Sequence, residues 1–257
     1  MGILLTSGVT PTNSLGWTVF LAKKYAKMFW QGTLITLYIA IIGTLIGFVL
    51  GYAIGLIQDA RINCGDSLIK KGLLRIVKAL AAVYVEVFRD TPMIVQAMII
   101  YFGLKTAGIA LSPSIAGILC TVLNTGAYMA ETVRGGIGSI EIGQREGAWA
   151  MGMSPVKTMF YIVLPQAFRN IIPEMANTFL TNLKMTSVLN VIAVQELFMA
   201  AKTVGGNYYK YFESYLVIAA IYFILCFVFN RIFIVLEKRM KGKNDYVLAV
   251  EFMEDKQ

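Results

Sequence analysis

The feature that most constrains this chain is a set of apolar stretches long enough to cross a lipid bilayer. A helix needs about 20 predominantly apolar residues to span the hydrocarbon core. Such stretches lie at 31–57, 92–111, 114–133, 171–195 and 215–236. Charged residues collect mainly between these stretches, as they do in membrane proteins. The sequence therefore predicts an all-α integral membrane protein with about five transmembrane helices.

Composition supports this class and excludes several kinds of site. The 257 residues are 57% hydrophobic and 15% charged, whereas soluble domains carry about 25% charged residues. The chain has no histidine, which excludes histidine-based acid–base chemistry, the common zinc sites and haem ligation by histidine. Cys64, Cys120 and Cys226 lie far apart and imply no disulfide framework. We therefore expect a subunit that is not an enzyme.

Two further segments are amphipathic. The segment 72–87 is apolar but is interrupted by Arg75, Lys78 and Glu86, and we expect it to lie beside the membrane or partly within it. Residues 17–28 place aromatic and aliphatic side chains on one helical stripe and lysines on another, which predicts a short interfacial helix. Residues 1–11 lack the order of a cleaved signal peptide, so the first span is expected to direct insertion.

The basic residues predict the orientation, because cytoplasmic loops are enriched in lysine and arginine. With the amino terminus outside, sixteen basic residues fall inside and six outside. The inside set is Arg61, Lys70, Lys71, Arg75, Lys78, Arg89, Arg134, Arg145, Lys157, Arg169, Arg231, Lys238, Arg239, Lys241, Lys243 and Lys256. The outside set is Lys23, Lys24, Lys27, Lys105, Lys202 and Lys210. We therefore expect an external amino terminus and a cytoplasmic carboxyl terminus.

The first span carries glycines at four-residue spacing, which allow another helix to approach closely. They are Gly43, Gly47, Gly51 and Gly55. We favour a packing groove within one subunit over a role in an interface between subunits.

The loop between the third and fourth spans, 139–165, predicts two short helices joined by a sharp bend. Residues 140–151 favour a helix, and Gly152 stands where a helix ends in the left-handed conformation. Ser154 followed by Pro155 is an N-cap with proline at the first helical position, a strong signal for a second helix.

This second helix is expected to run toward Leu164 and to end at Pro165. Ala148, Ala150 and Met151 would offer small or pliable contact surface near the bend. Such a double helix has the form of a knob that inserts into a partner's groove.

The loop resembles the Glu-Ala-Ala loop of bacterial ABC-importer permeases, with Glu146-Gly147-Ala148 followed by Gly152 and, further on, by Ile-Val-Leu-Pro165. Gly147 departs from the usual alanine. The family's loop contains the coupling helix that docks on the ATP-binding subunit. The resemblance therefore assigns ATPase coupling to Glu146, Gly147, Ala148, Gly152, Met153, Ser154 and Pro155.

Four more motifs resemble the polar amino acid branch of that family, which includes histidine, glutamine, arginine and glutamate transporters. They lie at 31–37, 88–104, 127–137 and 183–188, and the similarity as a whole covers roughly 28–236. Asp90 and Met185 depart from the family's usual residues, glycine and aspartate.

The resemblance implies a type I ABC-importer transmembrane-domain fold with a cytoplasmic coupling-helix loop, in a multi-pass protein of the bacterial inner membrane. We expect one permease domain, 1–257, with an external or interfacial segment at 1–30, a membrane core at 31–236 that includes the coupling loop at 139–165, and a cytoplasmic tail at 237–257.

The partners implied by the resemblance are an ABC ATPase subunit, an extracytoplasmic amino-acid-binding protein and a second permease copy or paralogue. The chain has no phosphate-binding loop, so ATP and Mg are expected on the ATPase and no cofactor on this chain. The other expected contacts are a polar amino acid and membrane lipid. We expect no nucleic acid partner.

The fourth span is unusually polar for a helix that faces lipid, so it should face protein or water. Asn182, Thr186 and Asn190 recur at i, i+4 and i+8 and predict one polar side. The candidate substrate pathway is Asn182, Lys184, Thr186, Ser187 and Asn190. Lys184 lies either near the permeation route or in a buried structural pair, and interhelical hydrogen bonding accounts for the threonines equally well.

Other interpretations remain open. Glu131 and Arg134 are either a substrate contact or, as we favour, an i, i+3 ion pair. An ion-coupled secondary transporter is the alternative function, although such proteins usually contain an internal repeat and none is evident. A membrane scaffold would leave the polar fourth span unexplained. The sequence does not identify the transported amino acid.

Overall fold

The computed structural model describes residues 11–60 and 67–241, without the side chains of 240 and 241, and the regular structure within these ranges is helical. Its helices are α1 Ser14–Lys24, α2 Ala26–Asp59, α3 Leu68–Asp90, α4 Met93–Thr106, α5 Pro113–Gly138, α6 Ile142–Ala150, α7 Pro155–Thr158, α8 Leu164–Met185, α9 Leu197–Tyr208 and α10 Tyr211–Lys241. A π-helical segment, Met159–Val163, joins α7 to α8, and a 3-10 helix, Thr186–Ile192, follows α8. The all-α prediction is confirmed for these residues.

The glycine stripe of α2 packs directly on α5. A β-carbon at Gly47 would lie 2.6 Å from Cβ of Thr125, and one at Gly55 would lie 2.8 Å from Cβ of Val133. The two backbones can therefore touch only because α2 lacks side chains along this line. Since the numbers of the paired residues rise together, α2 and α5 run parallel. The predicted packing groove within one subunit is confirmed.

Because α2 and α5 run parallel, the chain between them has to return across the bundle. Helix α4 has 14 residues, or about 21 Å, which is shorter than the hydrocarbon core of about 30 Å. Helix α3 supplies the rest of the return, since the Tyr84 hydroxyl donates to the Leu123 carbonyl near the middle of α5. The predicted second span, 92–111, is thus only the later part of this crossing, and the segment 72–87 belongs to its earlier part.

Helices α8 and α10 continue the alternation of direction. Side chains at 171 and 182 of α8 contact 136 and 125 of α5 respectively, so α8 runs antiparallel to α5. On α10, Tyr222 contacts Glu196, which lies beyond the end of α8, and the ring of Phe229 packs at a tilt against that of Phe179 within α8. Helix α10 therefore runs antiparallel to α8. The directions of α2, α3 with α4, α5, α8 and α10 agree with five crossings.

Only some of these helices meet a test of length and hydropathy for crossing a membrane. Within the described residues, Ala26–Asp59 and Tyr211–Arg239 are each long and apolar enough to cross a membrane alone. The pair Pro155–Ile192 and Leu197–Tyr208 satisfies the same test jointly, with a bend of 55° between its members. Among the described helices, α5 and the pair of α3 and α4 are not singled out by this test.

The bend after α8 is held by a buried carboxylate. Ala193 adopts a left-handed conformation, with φ of 61°, where the 3-10 helix ends. Glu196 is fully buried and accepts hydrogen bonds from the backbone N–H groups of Phe198 and Met199, which caps α9. The prediction that Asn182, Thr186 and Asn190 align on one side of a regular α-helix is wrong. The chain becomes a 3-10 helix at Thr186, and a 3-10 helix has 3.0 residues per turn, whereas an α-helix has 3.6.

Helix α1 packs on protein along its apolar stripe. Leu21 is fully buried in a cluster that includes Leu197 and Val217, and Trp17 and Phe20 pack against the same cluster. The stripe predicted to face a membrane interface therefore faces α9 and α10. The predicted cytoplasmic tail begins at 237 and lies mostly outside the described residues.

Candidate functional site

The bend in the loop after α5 has the geometry predicted from its sequence. Helix α6 ends at Ala150, and Gly152 has a φ of 80°. The N–H of Met153 donates to the carbonyl of Ala148 at 3.0 Å, and that of Gly152 to the carbonyl of Trp149 at 2.9 Å. These bonds satisfy terminal carbonyls of α6, which is the usual role of a glycine in this conformation.

The start of the next helix is also confirmed, but its end is not. Ser154 caps α7 by accepting from the N–H of Lys157, and Pro155 occupies the first turn. The prediction that Pro165 ends this helix is wrong, since the chain continues through Met159–Val163 into α8. A proline has no N–H and clashes with the carbonyl four residues earlier, and the wider π-helical turn just before Pro165 accommodates it.

One face of the loop is exposed. Glu146 and Gly147 lie on this face, and a β-carbon at Gly147 would meet no atom within 4 Å. Met151 is 77% exposed and Val156 is 66% exposed. Apolar side chains at these exposures, beside a carboxylate and at the tip of a capped double helix, form a surface suited to a protein partner.

The opposite face of α6 is anchored by Arg145, for which the sequence predicts only a charge in a cytoplasmic loop. Arg145 is 8% exposed, its Nη2 donates to the Ile137 carbonyl at 3.2 Å, and it lies 4.0 Å from Oδ2 of Asp59. Ile137 is near the end of α5, and Asp59 is the last residue of α2. Spacing alone gives no signal for a contact 86 positions apart in the chain.

A polar cleft of about 610 Å³ opens where α3 ends and α4 begins. Residues of α3, the α3–α4 break, α4, α5, α8 and the 3-10 helix line it. They are Arg89, Asp90, Thr91, Pro92, Met93, Ile94, Asn124, Thr125, Tyr128, Glu174, Thr178, Thr181, Asn182, Met185 and Val188.

A hydrogen-bond network holds the break between α3 and α4 in place. The Nε2 of Gln96 donates to the Phe88 carbonyl at 2.8 Å and to the Thr91 carbonyl at 2.9 Å. Asn124 donates to the same Phe88 carbonyl at 3.2 Å and to Oε1 of Gln96 at 3.0 Å. Backbone groups that lose their helical partners need such replacements inside a membrane protein. The break is thus a fixed part of the cleft wall.

The cleft carries charges of both signs. Arg89 contributes a guanidinium, and Asp90 and Glu174 contribute carboxylates. The distribution of basic residues predicts a cytoplasmic loop for Arg89, but the Arg89 carbonyl accepts a hydrogen bond from the Tyr128 hydroxyl at 3.4 Å, near the middle of α5. That assignment is therefore corrected. The C-terminus of α3 and the N-terminus of α4 also meet here, which places partial charges of opposite sign at the cleft.

The structure brings only one of the five predicted pathway residues to this cleft. Asn182 lies in its wall and donates to Oγ1 of Thr44 and of Thr125, both at 2.8 Å. Lys184 is exposed and lies near Cys226 on α10.

The other three predicted residues bond within their own turn. The Thr186 and Ser187 hydroxyls donate to the carbonyls of Leu183 and Lys184, and the Asn190 amide donates to the Ser187 carbonyl. None of the three lines the cleft. These bonds lie where the chain changes from α-helix to 3-10 helix, and Thr186 also contacts the Tyr222 side chain of α10.

The other favoured interpretation on α5 is confirmed. Arg134 and Glu131 form a two-point ion pair, with Nε to Oε2 at 3.0 Å. Neither residue lines the cleft.

A second, apolar cleft of about 440 Å³ lies between α2, α8 and α10. Phenylalanine side chains at 168, 179, 229 and 233 line it, and Thr44 and Glu237 are its few polar lining residues. Such a surface suits hydrocarbon better than a polar solute. The cleft at the α3–α4 break is therefore the stronger candidate for binding a polar ligand.

Comparisons with known proteins agree with this arrangement. A family model matches residues 67–242. This family is described as "Binding-protein-dependent transport system inner membrane component". The chain is 34% identical over 213 residues to the glutamine transport system permease protein of Escherichia coli, covering 82% of this chain and 92% of that protein. It is 33% identical over 215 residues to the arginine transport system permease protein of Bacillus subtilis, covering 83% and 93%.

Solved structures give the same result. The crystal structure of an amino acid ABC transporter with histidines matches with a TM-score of 0.77 and 32% identity, covering 90% of this chain and 100% of that chain. An inward-facing methionine ABC transporter matches with a TM-score of 0.68 and 20% identity, covering 84% and 98%. The second likeness supports the fold alone.

Proposed function

The chain belongs to the family of binding-protein-dependent transport system inner membrane components and is, by its relatives, a permease subunit of an amino acid ABC import system, and we propose how its two functional regions divide the work. The polar cleft passes the amino acid across the membrane. The loop 139–165 receives the motion of an ATPase subunit. The observation that carries this proposal is that α8 begins at the loop and ends in the cleft wall.

The cleft suits a zwitterion. The guanidinium of Arg89 and the N-terminus of α4 attract a carboxylate, and the carboxylates of Asp90 and Glu174 with the C-terminus of α3 attract an ammonium group. Broken helices bind zwitterionic substrates in this way in other transporters. Thr178 and Thr181 add hydroxyl groups that can donate or accept.

The loop suits a docking partner. Glu146 offers an exposed carboxylate and Met151 an exposed thioether side chain, on either side of the α6 C-terminus. We assign ATPase coupling to Glu146, Gly147, Ala148, Gly152, Met153, Ser154 and Pro155. Ala148 is only 2% exposed, so the prediction that it offers contact surface is wrong, and it supports the loop from the inner face of α6. In this proposal ATP and Mg are held by the partner, and ATP closure moves the loop and α8 together as a rigid body.

The remaining partners follow from the same proposal. A cleft open along one side requires a second permease copy or a paralogue to enclose a pathway. An extracytoplasmic binding protein delivers the amino acid on the side of α1 and α9, and the loop 139–165 faces the cytoplasm. The amino terminus is then outside and the carboxyl terminus inside, in agreement with the distribution of basic residues.

The alternative function, an ion-coupled secondary transporter, has no support from the family or from the similar structures. It is distinguished directly by reconstitution. We expect the chain to copurify with a soluble ATPase and to drive amino acid uptake into proteoliposomes only with ATP. Uptake driven by an ion gradient in the absence of an ATPase would contradict the proposal.

A further inference from the structure

Arg145 and Glu146 are neighbours in the chain but face opposite ways. Glu146 is exposed, whereas Arg145 is 8% exposed and points toward the bundle. An arginine at this burial has lost most of its hydration, which is costly unless the charge finds partners. Its partners therefore indicate why the position holds a cation.

The partners of Arg145 lie at the ends of two different helices. Its Nη2 donates to the carbonyl of Ile137, one residue before the end of α5, at 3.2 Å. The same group lies 4.0 Å from Oδ2 of Asp59, the last residue of α2. This Oδ2 is buried and accepts no hydrogen bond in the part of the chain that the structure describes. Arg145 thus links α6 to both helix ends at once.

The two helix ends behave as one body. Glycines of α2 contact α5 at four successive turns, down to Gly55 against Val133. Interfaces this tight transmit displacement instead of absorbing it. A force applied to α6 through Arg145 therefore acts on α2 and α5 together.

A second route from the loop into the bundle already exists through α8. The chain runs without a break in helix from Pro155 to Met185. Helix α6 is not continuous with this helix, because the chain bends at the left-handed residue Gly152 before α7 begins. Motion of α6 can reach α8 through the bend and through the packing of α6 against Met159–Val163, whereas Arg145 connects α6 to the ends of α2 and α5.

We propose that Arg145 is a positioning residue that ties α6 to the ends of α2 and α5, through Ile137 and Asp59, so that displacement of the loop moves all three helices together. The proposal rests on the proposed coupling role of loop 139–165. Arg145 does not contact the amino acid or the ATPase. Its loss should leave docking intact and reduce the transport obtained for each ATP hydrolysed.

The test uses the reconstituted complex of permease, ATPase and binding protein, with four variants of the permease. They are Arg145→Met, Arg145→Lys, Asp59→Asn and the double variant Arg145→Met with Asp59→Asn. Three quantities are measured for each: the amount of ATPase that copurifies, the rate of ATP hydrolysis, and the rate of amino acid uptake.

We expect Arg145→Met to copurify with a normal amount of ATPase and to lower uptake per ATP hydrolysed about tenfold, as expected for the loss of one charge-assisted contact. Asp59→Asn should lower the same ratio. The double variant should be no worse than Arg145→Met alone, because residues that act through one contact are not additive. Arg145→Lys keeps the charge without the planar fork and should fall between wild type and methionine.

Two results would overturn the proposal. One is a normal ratio of uptake to hydrolysis in Arg145→Met, with reduced yield only, which would mean that the contact merely stabilises the fold. The other is additive loss in the double variant. Gly152→Val is measured alongside, to distinguish failure of the role of Arg145 from failure of the proposed function. If Gly152→Val impairs coupling and Arg145→Met does not, the loop couples the ATPase but Arg145 is not its tie. If neither variant impairs coupling, the coupling role of the loop itself is wrong.

Discussion

Gly47 on α2 lies so close to Thr125 on α5 that a β-carbon at position 47 would fall 2.6 Å from Cβ of Thr125. Thr125 is also a wall residue of the polar cleft, where its hydroxyl accepts a hydrogen bond from Asn182 of α8. The close approach of α2 therefore fixes one side of the cleft. Packing along the glycine stripe and the shape of the candidate binding site depend on each other.

The first prediction follows from this contact. Gly47→Ala should lower the stability of the permease by about 1–3 kcal/mol, because the added methyl overpacks the α2–α5 interface. Its neighbours include the backbone carbonyl of Val122, which cannot move aside as a side chain can. The measurement is the unfolding temperature of the purified permease in detergent.

The matched control is Gly135→Ala on α5. A β-carbon there would meet no atom within 4 Å, and alanine favours helix over glycine by about 1 kcal/mol. Gly135→Ala should thus leave the unfolding temperature unchanged or raise it slightly. Equal effects of the two substitutions would mean that the interface is looser than the structure describes.

Local chemistry was enough to predict the bend at Gly152, the cap at Ser154 and the pair of Glu131 with Arg134. Each of these features is decided within about five residues, by backbone conformation, by a side-chain oxygen facing nearby N–H groups, or by helical spacing. The glycine stripe of α2 was predictable for a similar reason, since only a close helix contact explains small residues at a strict four-residue period.

Features decided by distant parts of the chain could not be predicted in this way. Arg89 reaches the middle of α5 because hydrogen bonds from Asn124 of α5 hold the end of α3 and the start of α4 against that helix. The residues joined by these bonds are 28 or more positions apart in the chain. The change to a 3-10 helix at Thr186 is not marked by a glycine or proline in the sequence of Thr186–Ile192. Pro165 wrongly predicted the end of a helix, because the turn before it becomes π-helical and the helix continues.

The second prediction concerns the polar cleft. Arg89→Gln and Glu174→Gln should each weaken binding of the amino acid by about tenfold or more, which corresponds to the loss of one charged hydrogen bond. Both changes remove the charge and leave a neutral, polar amide in the wall. The measurement is equilibrium dialysis of labelled amino acid against the purified complex of permease and ATPase, without the binding protein.

Lys202→Gln is the control for this experiment, since Lys202 is exposed on α9 and does not line the cleft. It should leave the dissociation constant unchanged. The assignment of the cleft fails if both cleft variants bind the amino acid as tightly as Lys202→Gln does.

The third prediction is the orientation in the membrane. Lys105 lies in the last turn of α4 and Lys157 lies in α7, and the crossing helix α5 lies between them in the chain. Single cysteines at these two exposed positions, in a chain whose three native cysteines are replaced, should report opposite sides. An impermeant maleimide should label position 105 in intact cells and position 157 only after permeabilisation. Labelling of both positions in intact cells would contradict five crossings with an external amino terminus.

The last prediction concerns the bend that presents the loop to its partner. Gly152 has a φ of 80°, a conformation that costs a residue with a β-carbon roughly 1–2 kcal/mol. Gly152→Val should therefore turn α7 away from its position after α6, disturb the surface formed by Glu146 and Met151, and weaken ATPase contact. Uptake and substrate-stimulated ATP hydrolysis in the reconstituted complex should both fall, while the separate binding protein keeps its affinity for the amino acid.

Gly143→Ala isolates this backbone effect from the general effect of replacing a glycine in the loop. Gly143 lies within α6 and a β-carbon there would meet no atom within 4 Å, so alanine should strengthen the helix by up to about 1 kcal/mol. Gly143 is not among the residues assigned to ATPase coupling, and uptake by Gly143→Ala should consequently match wild type. If Gly152→Val also transports at the wild-type rate with normal stimulation of hydrolysis, the loop does not couple this permease to its ATPase, because the bend that shapes the exposed surface would then be dispensable.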